Sequence, residues 1–415
     1  MTETYRPAFE GSETPHISYG IPFHAACAKH LKETFKCDRV HIIASRSLCK
    51  NTNHVQMLKE AIERTGILVT GVRHGMTPHT FWSEVLEIVR DAREMNADML
   101  VTIGGGSLTD AAKIVALALS NNARNPAEIA NLTVQPGQSQ SDPRSDLNPP
   151  TLRIVSISTS FSGGEYARLA GGTDDRTKQK HAFLGPIKGP ELVILDPELV
   201  TMTPKRVWAA SGVRAVDHCV EALCSLRVKE VEGAEEVAGR GLRRLVKGLL
   251  RCQLDVDGRD VEARMECQLG VVDAMEAVIK GVEMGGSHAI GHQLGPLGVA
   301  HGETSCILLP AVCRFNRRVN EERQRKVEEI LWGVKEMEGV LRKRGLKKEE
   351  AELGDMLKAI IEKLDLPTSL KDVGIEKEKF EVLAENSLKD RWSATNPIPL
   401  VEKEQILDIL EMAAR

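Results

Sequence analysis

The chain has 415 residues, of which 42% are hydrophobic and 27% are charged, and its formal net charge is −4. This composition is typical of a soluble globular protein, the length favours two domains, and the acidic balance without a long basic stretch argues against nucleic-acid binding. No apolar run approaches the ~20 residues that span a bilayer, and residues 1–8 lack the apolar core of a signal peptide.

The cysteines indicate the cellular compartment. There are nine, an odd number, and none stands in a CxxC pair. This usage favours free thiols in a reducing compartment over a disulfide framework or a zinc ribbon. We therefore expect a cytoplasmic enzyme.

The first half of the chain alternates short β-branched runs with helical periods. Helices are predicted at 52–65 and 78–95, and a third helix opens at residue 110. The predicted strands are 40–44, 66–72, 99–103, 152–157 and 192–195. Strands separated by helices of this length predict βαβ units and a parallel sheet. Residues 121–150 are rich in Asn, Pro, Ser and Gln and are predicted to form a long surface loop.

After residue 200 the pattern becomes almost entirely helical. The predicted helices are 204–226, 231–252, 260–284, 286–294, 303–320, 322–343, 349–364 and 403–414. The charged run 318–351 is interpreted as the solvated face of helices. We therefore expect an α/β domain over 1–200 and a helical domain over 201–415.

A run of glycines follows the third predicted strand. It comprises Gly104, Gly105 and Gly106, followed by Ser107, and Asp110 lies in the helix behind it. Glycine lets backbone N–H groups approach an anion, and a helix N-terminus attracts negative charge. We expect a phosphate or pyrophosphate here; the alternative is a glycine turn needed only for packing. The run matches neither GxGxxG nor the P-loop pattern.

A second polar loop follows the next strand. Its sequence from Ser158 to Glu165 is Ser-Thr-Ser-Phe-Ser-Gly-Gly-Glu. Hydroxyl groups at the carboxyl end of a strand suit contacts with ribose, phosphate or the nicotinamide amide. As a second such loop in one sheet, it strengthens the prediction of a dinucleotide site.

Two segments of the helical half carry candidate catalytic residues. Arg214 and His218 are four apart and share a helix face, so this pair suggests anion or carboxylate binding; the alternative is a surface pair of Arg214 with Asp217. His288 and His292 are also four apart, and His301 follows a Gly/Pro bend that can fold it back toward them. Histidine titrates near neutrality and binds metals, so we expect a site for metal binding, proton transfer or both. The alternative is three unrelated, hydrogen-bonded histidines around a helix end.

In this order the motifs resemble the iron-containing, or group III, alcohol dehydrogenase family over essentially the whole chain. Leu195-Asp196-Pro197 and residues 396–400 (Asn-Pro-Ile-Pro-Leu) before the last helix complete the match. The resemblance implies a dehydroquinate synthase-like architecture. In it, an N-terminal α/β domain with a parallel sheet binds NAD(P). An all-helical C-terminal domain supplies catalytic or metal-binding side chains at the cleft between the two.

The resemblance also assigns roles to single positions. Those that match the family's cofactor-binding residues are Gly104, Gly105, Gly106, Ser107, Asp110, Ser158 and Thr159. Those that match its three histidine metal ligands are His218, His288 and His301, and His292 matches a further histidine near the nicotinamide.

Departures from the family pattern bear on the metal. Arg214 stands where the family has an aspartate ligand, and a guanidinium has no lone pair and repels a dication. Asp217 is expected on the wrong side of the helix to replace that aspartate. The His288–His301 spacing is one residue shorter than in metal-dependent members. The surrounding sequence looks more like the maleylacetate reductase branch, in which a metal is not required.

A further departure concerns cofactor choice. After strand 40–44 the family's NAD-selecting aspartate is replaced by Ser45, and Arg46 follows. Loss of a carboxylate and gain of a cation favour tolerance of a 2′-phosphate, hence NADPH alongside NADH.

We therefore expect an NAD(P)-dependent oxidoreductase that reduces a carbonyl or a conjugated keto acid without a catalytic metal. Protonated histidines (His288, His292, His301) would stabilise the alkoxide, one of them acting as general acid, and Arg214 would orient a substrate carboxylate. The first alternative is an Fe²⁺- or Zn²⁺-dependent alcohol dehydrogenase that uses three histidines with Asp217 or water. The second is a pathway protein that binds a ligand without redox turnover. We expect a small-molecule substrate and no nucleic-acid or membrane partner, and a homodimer is one possible assembly.

Overall fold

The computed structural model describes residues 2–77, 80–135 and 144–415. The chain divides into two compact units, Met1–Met202 and Thr203–Arg415. No helix among the described residues has the length and apolarity needed to cross a membrane.

The first unit is an α/β structure. Its strands are β1 (Thr4–Pro7), β2 (His16–Tyr19), β3 (Arg39–Ala44), β4 (Leu68–His74), β5 (Met99–Gly104), β6 (Arg153–Ser158), β7 (Ala170–Thr173), β8 (Lys180–Phe183) and β9 (Leu192–Leu195). Its helices are α1 (Phe23–Lys29, extended by a π-helical turn), α2 (Arg46–Asn51), α3 (His54–Glu63), α4 (Trp82–Glu94), α5 (Gly106–Ser120), α6 (Pro126–Ala130) and α7 (Pro197–Val200).

The sheet has seven strands in the order β1-β2-β9-β6-β5-β3-β4. All neighbours are parallel except β1 and β2, which are antiparallel. Buried Val, Ile and Leu side chains of the central strands pack on both faces, as expected for a parallel sheet covered by helices. The predicted fold class is therefore confirmed, and the carboxyl ends of β3, β5 and β6 lie side by side at one edge.

Some local predictions in this unit were wrong. The helix predicted at 52–65 is α3, but the separate helix α2 before it was not predicted. Helix α2 ends before Thr52, which is extended and whose hydroxyl donates to Leu48 O at 2.7 Å. The loop predicted at 121–150 contains α6, whose N-terminus is capped by the Asn125 side chain; residues 136–143 lie outside the described residues. The helix predicted at 78–95 is α4, which starts at Trp82. Residues 78 and 79 of that prediction also lie outside the described residues. The four short strands β1, β2, β7 and β8 were not predicted, because none of them is a continuous run of large apolar residues as the equally short β9 is.

The second unit is helical throughout its described residues, 203–415. Its helices are α8 (Lys205–Cys224), α9 (Ala234–Leu254), α10 (Val261–Ile279), α11 (Gly286–Leu294), α12 (His301–Trp332), α13 (Lys335–Lys343), α14 (Leu353–Lys363), α15 (Phe380–Ser387), α16 (Arg391–Thr395) and α17 (Lys403–Ala413). The break predicted near residue 321 is a kink at Asn320 inside α12. The Asn320 side chain donates to the carbonyl of Cys224 at 3.0 Å, which holds the kink against α8. All nine cysteines are free, as expected.

Candidate active site

The glycine run forms the tight connection between β5 and α5. Gly104 has φ +156°, and a side chain there would overlap Leu108 and approach Ser45 Cβ at 3.0 Å. Gly105 has ordinary φ (−93°), and its added Cβ would meet only Ser160, at 3.5 Å. No side chain caps the N-terminus of α5. The site thus fits an anion held by backbone N–H groups, with Gly104 required for the turn and Gly105 for open space above the helix.

Buried polar contacts hold the second loop against the glycine run. The N–H of Thr159 donates to the carbonyl of Gly104 at 3.0 Å, and Ser158 Oγ donates to the carbonyl of Ser160 at 3.0 Å. Lys113, fully buried, donates to the carbonyls of Gly164 and Leu169 at 2.6 and 2.9 Å. The two predicted loops are therefore adjacent, and the hydrogen bonds of Lys113 connect the helix that follows the first loop to the second loop.

Two more predicted cofactor residues have defined contacts nearby. Asp110 accepts the N–H of Gly171 at 3.1 Å, so part of its carboxylate is used within the fold. The Ser107 carbonyl accepts the Thr80 hydroxyl at 3.2 Å. Ser107 itself lies in the first turn of α5.

The predicted selector residues lie at the carboxyl end of β3. Ser45 donates its N–H to the carbonyl of Ile103 at 2.9 Å, which places it directly beside the glycine run. Its hydroxyl caps α2 by accepting the N–H of Leu48 at 3.4 Å. Arg46 is exposed, so its guanidinium is available to a ligand.

In the second unit the four candidate histidines form a row. The ring centroids of His218 and His288 are 4.7 Å apart, those of His288 and His292 are 6.5 Å apart, and those of His292 and His301 are 6.4 Å apart. The last two rings are nearly parallel, with an interplanar angle of 5°. The bend after α11 thus brings His301 beside His292, as its glycine content allows.

Arg214 lies inside the protein beside this row. Its side chain is 3% exposed, and Nη1 donates to Ser305 Oγ at 2.9 Å. Nη1 is also 3.7 Å from Asp217 Oδ2, while Nε has no hydrogen-bond partner in the described structure. The alternative of a surface Arg214–Asp217 pair is wrong in one respect, since the pair is buried.

Asp217 also faces the row, which corrects the expectation that it points away. Its Oδ2 accepts the hydroxyls of Ser287 at 2.7 Å and Ser305 at 2.5 Å, and it lies 3.6 Å from His288 Nδ1. The helical-wheel argument failed because α11 and α12 both pack against that side of α8, so the site surrounds Asp217 as well as His218.

Glu221 organises the start of α11. It accepts the N–H groups of Gly285 at 2.9 Å and Ser287 at 2.8 Å, and it contacts His288 Nδ1 at 2.7 Å. The side chain of Asn396 accepts the N–H of Gly286 at 3.0 Å. Two side chains from distant segments therefore satisfy the first N–H groups of the helix that carries His288 and His292.

The electrostatics of the row correct the assignment of a protonated His288. Burial lowers the pKa of both His218 and His288 well below the usual value, and the Arg214 charge adds to the effect. Burial therefore favours the neutral imidazole of His288, with Nδ1–H donated to Glu221, and Nε2 is buried without a hydrogen-bond partner among the described residues.

His292 differs from His288 in exposure and in partner. Its side chain is 39% exposed, and Nδ1 is 2.8 Å from Oδ2 of Asp390. An exposed imidazole beside a carboxylate can exchange protons with water, which the buried His288 cannot do directly.

One cluster of the described residues could hold a metal ion, but it lies beside the guanidinium of Arg214. Ligand atoms of Asp217, Glu221 and His288 lie within 4.8 Å of one another. Both oxygens of Glu221 and Oδ2 of Asp217 accept internal donors, whereas Oδ1 of Asp217 has no hydrogen-bond partner among the described residues. Arg214 places a positive charge 3.7 Å from Oδ2 of Asp217. A dication at this point would face that charge in a low-dielectric interior.

The chain combines a parallel-sheet unit that carries a glycine loop with a helical unit that carries a histidine row. Two family profiles match, iron-containing alcohol dehydrogenase over residues 20–197 and the Fe-containing alcohol dehydrogenase family, C-terminal, over residues 208–414. The chain belongs to the iron-containing alcohol dehydrogenase family, and it is an oxidoreductase. The predicted family is thereby confirmed.

Curated relatives and solved structures agree with this. Dehydrogenase FUM7 of Gibberella moniliformis is 34% identical, covering 99% of this chain and 98% of its own length. Dehydrogenase ALT3 of Alternaria alternata is 34% identical over 90% of this chain and 98% of its own. A 1,3-propanediol oxidoreductase (TM-score 0.79, 23% identity, 95% and 96% coverage) shares the fold. So does a maleylacetate reductase of Agrobacterium tumefaciens (TM-score 0.74, 22% identity, 99% and 98% coverage).

Four residues of the site were missed at the level of sequence. Glu221 carried a usable signal, because it lies four residues after Asp217 and so shares its helix face. Ser287, Ser305 and Asp390 carried none, since serines and aspartates are common in helices and at their ends.

Proposed function

We propose that this protein is an NAD(P)-dependent reductase of a carbonyl or conjugated keto acid that works without a catalytic metal. The observation that carries the proposal is the buried Arg214, which lies among Asp217, Ser305 and the histidine row. There it supplies the positive charge that a metal would otherwise supply.

The first unit is assigned to cofactor binding. The N–H groups at the start of α5 hold the pyrophosphate, and Gly105 leaves the space for its close approach. Ser45 and Arg46 at the end of β3 accept a 2′-phosphate, so NADPH is used alongside NADH. When bound, the reduced nicotinamide supplies the hydride.

The second unit is assigned to substrate binding and proton transfer. His292 is the proton donor, because it combines exposure with a carboxylate partner. His288 stays neutral and His218 and His301 line the same row. Arg214 has an unpartnered Nε, and it is this donor that orients a substrate carboxylate.

The decisive experiment is a screen of NADPH and NADH oxidation over keto acids, aldehydes and quinone-like acceptors. We expect turnover of a carboxylate-bearing carbonyl compound, with NADPH accepted at least as well as NADH. Absence of turnover together with tight binding of a ligand would favour the non-redox alternative.

The metal is tested on the same enzyme. We expect activity to survive dialysis against EDTA and metal analysis to show less than stoichiometric zinc or iron. Loss of activity with chelator and its recovery on adding Fe²⁺ or Zn²⁺ would instead favour the metal-dependent alternative. This alternative is supported by the cluster of Asp217, Glu221 and His288, whose ligand atoms lie close enough together to hold a metal ion. Arg214→Asp should raise the affinity for Zn²⁺ or Fe²⁺, because it replaces a cation by a carboxylate.

A further inference from the structure

Asp390 lies at the turn that leads from α15 into α16, and its two oxygens have separate partners. Oδ1 accepts the backbone N–H of Trp392 at 3.0 Å, which caps α16. Oδ2 is 2.8 Å from Nδ1 of His292, on a helix 98 residues earlier in the chain. Capping needs only one oxygen, and Ser or Asn would supply it equally well. The contact with His292 therefore calls for a separate explanation.

The contact has a parallel on the same helix. His288 and His292 lie on one face of α11, and each has its Nδ1 against a carboxylate, Glu221 at 2.7 Å and Asp390 at 2.8 Å. A carboxylate accepts only, so each imidazole donates Nδ1–H and turns Nε2 away from the carboxylate. Asp390 is 14% exposed, and its carboxylate is thus partly shielded from water, which strengthens the hydrogen bond.

We propose that Asp390 is a positioning residue of the reaction, which fixes the tautomer and orientation of His292 so that Nε2 is the nitrogen that transfers the proton. The inference rests on the proposed function, because it deepens the role given there to His292.

In the direction of reduction, the carbonyl carbon takes the hydride of the reduced nicotinamide, and the carbonyl oxygen takes the proton from Nε2 of the His292 imidazolium. The products are an alcohol, the oxidised nicotinamide and a neutral His292. His292 keeps its Nδ1–H on Asp390 and regains the Nε2 proton from water. Without Asp390, a neutral His292 can carry its proton on either nitrogen, so the nitrogen that transfers the proton is no longer fixed.

The test replaces Asp390 by Asn in the full-length protein. Asparagine keeps one oxygen for the N–H of Trp392, so the cap is retained. Its amide NH₂ then faces His292 Nδ1, and two donors cannot share a hydrogen bond. We expect His292 to change to the Nε2–H tautomer. This is read from long-range ¹H–¹⁵N spectra of protein labelled with ¹⁵N-histidine, in which His292→Gln assigns the signals.

The kinetic readout follows from the tautomer. We expect kcat of Asp390→Asn to fall by roughly 10- to 100-fold, which is less than or equal to the smallest loss usual for removal of a general acid, because His292 itself is retained. KM and cofactor affinity should not change. Asp390→Ser, which keeps the cap and removes the partner of His292, should give mixed tautomers and a smaller loss. A wild-type kcat or a wild-type tautomer in Asp390→Asn would overturn the proposal.

The matched control is Asp372→Asn. Asp372 accepts the N–H groups of Thr368 and Ser369, both at 3.0 Å, and it has no hydrogen bond to a histidine among the described residues. We expect this variant to leave the His292 signals and kcat unchanged. Failure of the proposed function is seen separately, as lack of turnover by the wild-type enzyme. The tautomer is measured without substrate, so that result still supports or overturns the role of Asp390 toward His292.

Discussion

In the first unit the candidate site is made of backbone, whereas in the second unit it is made of buried side chains. The glycine run needs only a strand, a turn and a helix that are contiguous in sequence. The histidine row needs carboxylates and hydroxyls from α8, α11, α12 and the start of α16. The first kind of site depends on conformation, and the second depends on what surrounds each ionisable group.

A matched pair of contacts shows how strong that dependence is. Glu3 lies 2.7 Å from a nitrogen of His30 in the first unit, and Glu221 lies 2.7 Å from a nitrogen of His288 in the second. Burial raises the pKa of Glu3, but hydrogen bonds from Lys29, Ser18 and His30 outweigh it and lower the pKa to about 2. Burial raises the pKa of Glu221, and its hydrogen bonds do not overcome it. Equal distances therefore do not imply equal ionisation. The pKa of each carboxyl group depends on how deeply it is buried and on the cations near it.

The largest effect is expected for Glu221→Ala. Its removal leaves the buried donors of Gly285, Ser287 and His288 without an acceptor. The free energy of unfolding should fall by about 3–5 kcal/mol, measured by urea denaturation. Glu221→Gln is the control, since its amide oxygen can still accept from the backbone and the loss should be smaller. Equal losses in the two variants would mean that the N–H groups of α11 find other acceptors.

The second-largest effect is expected for Arg214→Ala. If Arg214 binds a substrate carboxylate, kcat/KM for acidic substrates should fall. The fall should correspond to a loss of roughly 2–5 kcal/mol in transition-state stabilisation. Neutral aldehydes, which offer no carboxylate, should lose much less. The ratio of the two substrate classes is the measurement, and it is insensitive to a general loss of active enzyme. A similar loss for both classes would assign Arg214 to the internal charge balance with Asp217 alone.

The same contrast explains what the sequence could and could not predict. The parallel sheet and the glycine run follow from local patterns, and the family resemblance singled out the four histidines whose rings lie in one row. The partners of those histidines did not follow, because His288 and Glu221 are 67 residues apart and His292 and Asp390 are 98 apart. The ionisation of His288 was also predicted wrongly, since burial is a property of the packed helices and not of spacing.

Gly105→Val tests the backbone-made site. Gly105 has φ −93° and only Ser160 near its added Cβ, so the variant should fold with an unchanged melting temperature. Its side chain occupies the space of the pyrophosphate, and cofactor affinity should fall by ~100-fold, about 2.7 kcal/mol. Gly104→Ala is the complementary variant, which should lower stability by about 1–3 kcal/mol through overlap with Leu108. Unchanged cofactor affinity in Gly105→Val would contradict the assignment of this loop.

Arg46→Asp should change cofactor preference by a smaller amount. The variant restores a carboxylate next to Ser45 at the end of β3, where it repels a 2′-phosphate and accepts a ribose hydroxyl. We expect the ratio of kcat/KM for NADPH over NADH to fall by roughly 10-fold. Arg46→Gln is the control, because it removes the cation without adding an anion. A wild-type preference for NADH by ~100-fold would show that β3 is not the selector strand.

The smallest effect is expected for Glu3→Gln. The pKa of Glu3 is lowered to about 2 in the folded protein, while the usual value is 4.5. Its hydrogen bonds thus stabilise the fold above pH 4.5, and that contribution is lost as the pH falls from about 4.5 to about 2. Because Lys29 is half-exposed, solvent screening reduces the contribution to about 1 kcal/mol. Urea denaturation at pH 7 should show this loss in Glu3→Gln, and at pH 3 the difference from the wild type should shrink. A difference that stays constant with pH would mean that Lys29 and His30 stabilise the first unit through contacts other than the charge of Glu3.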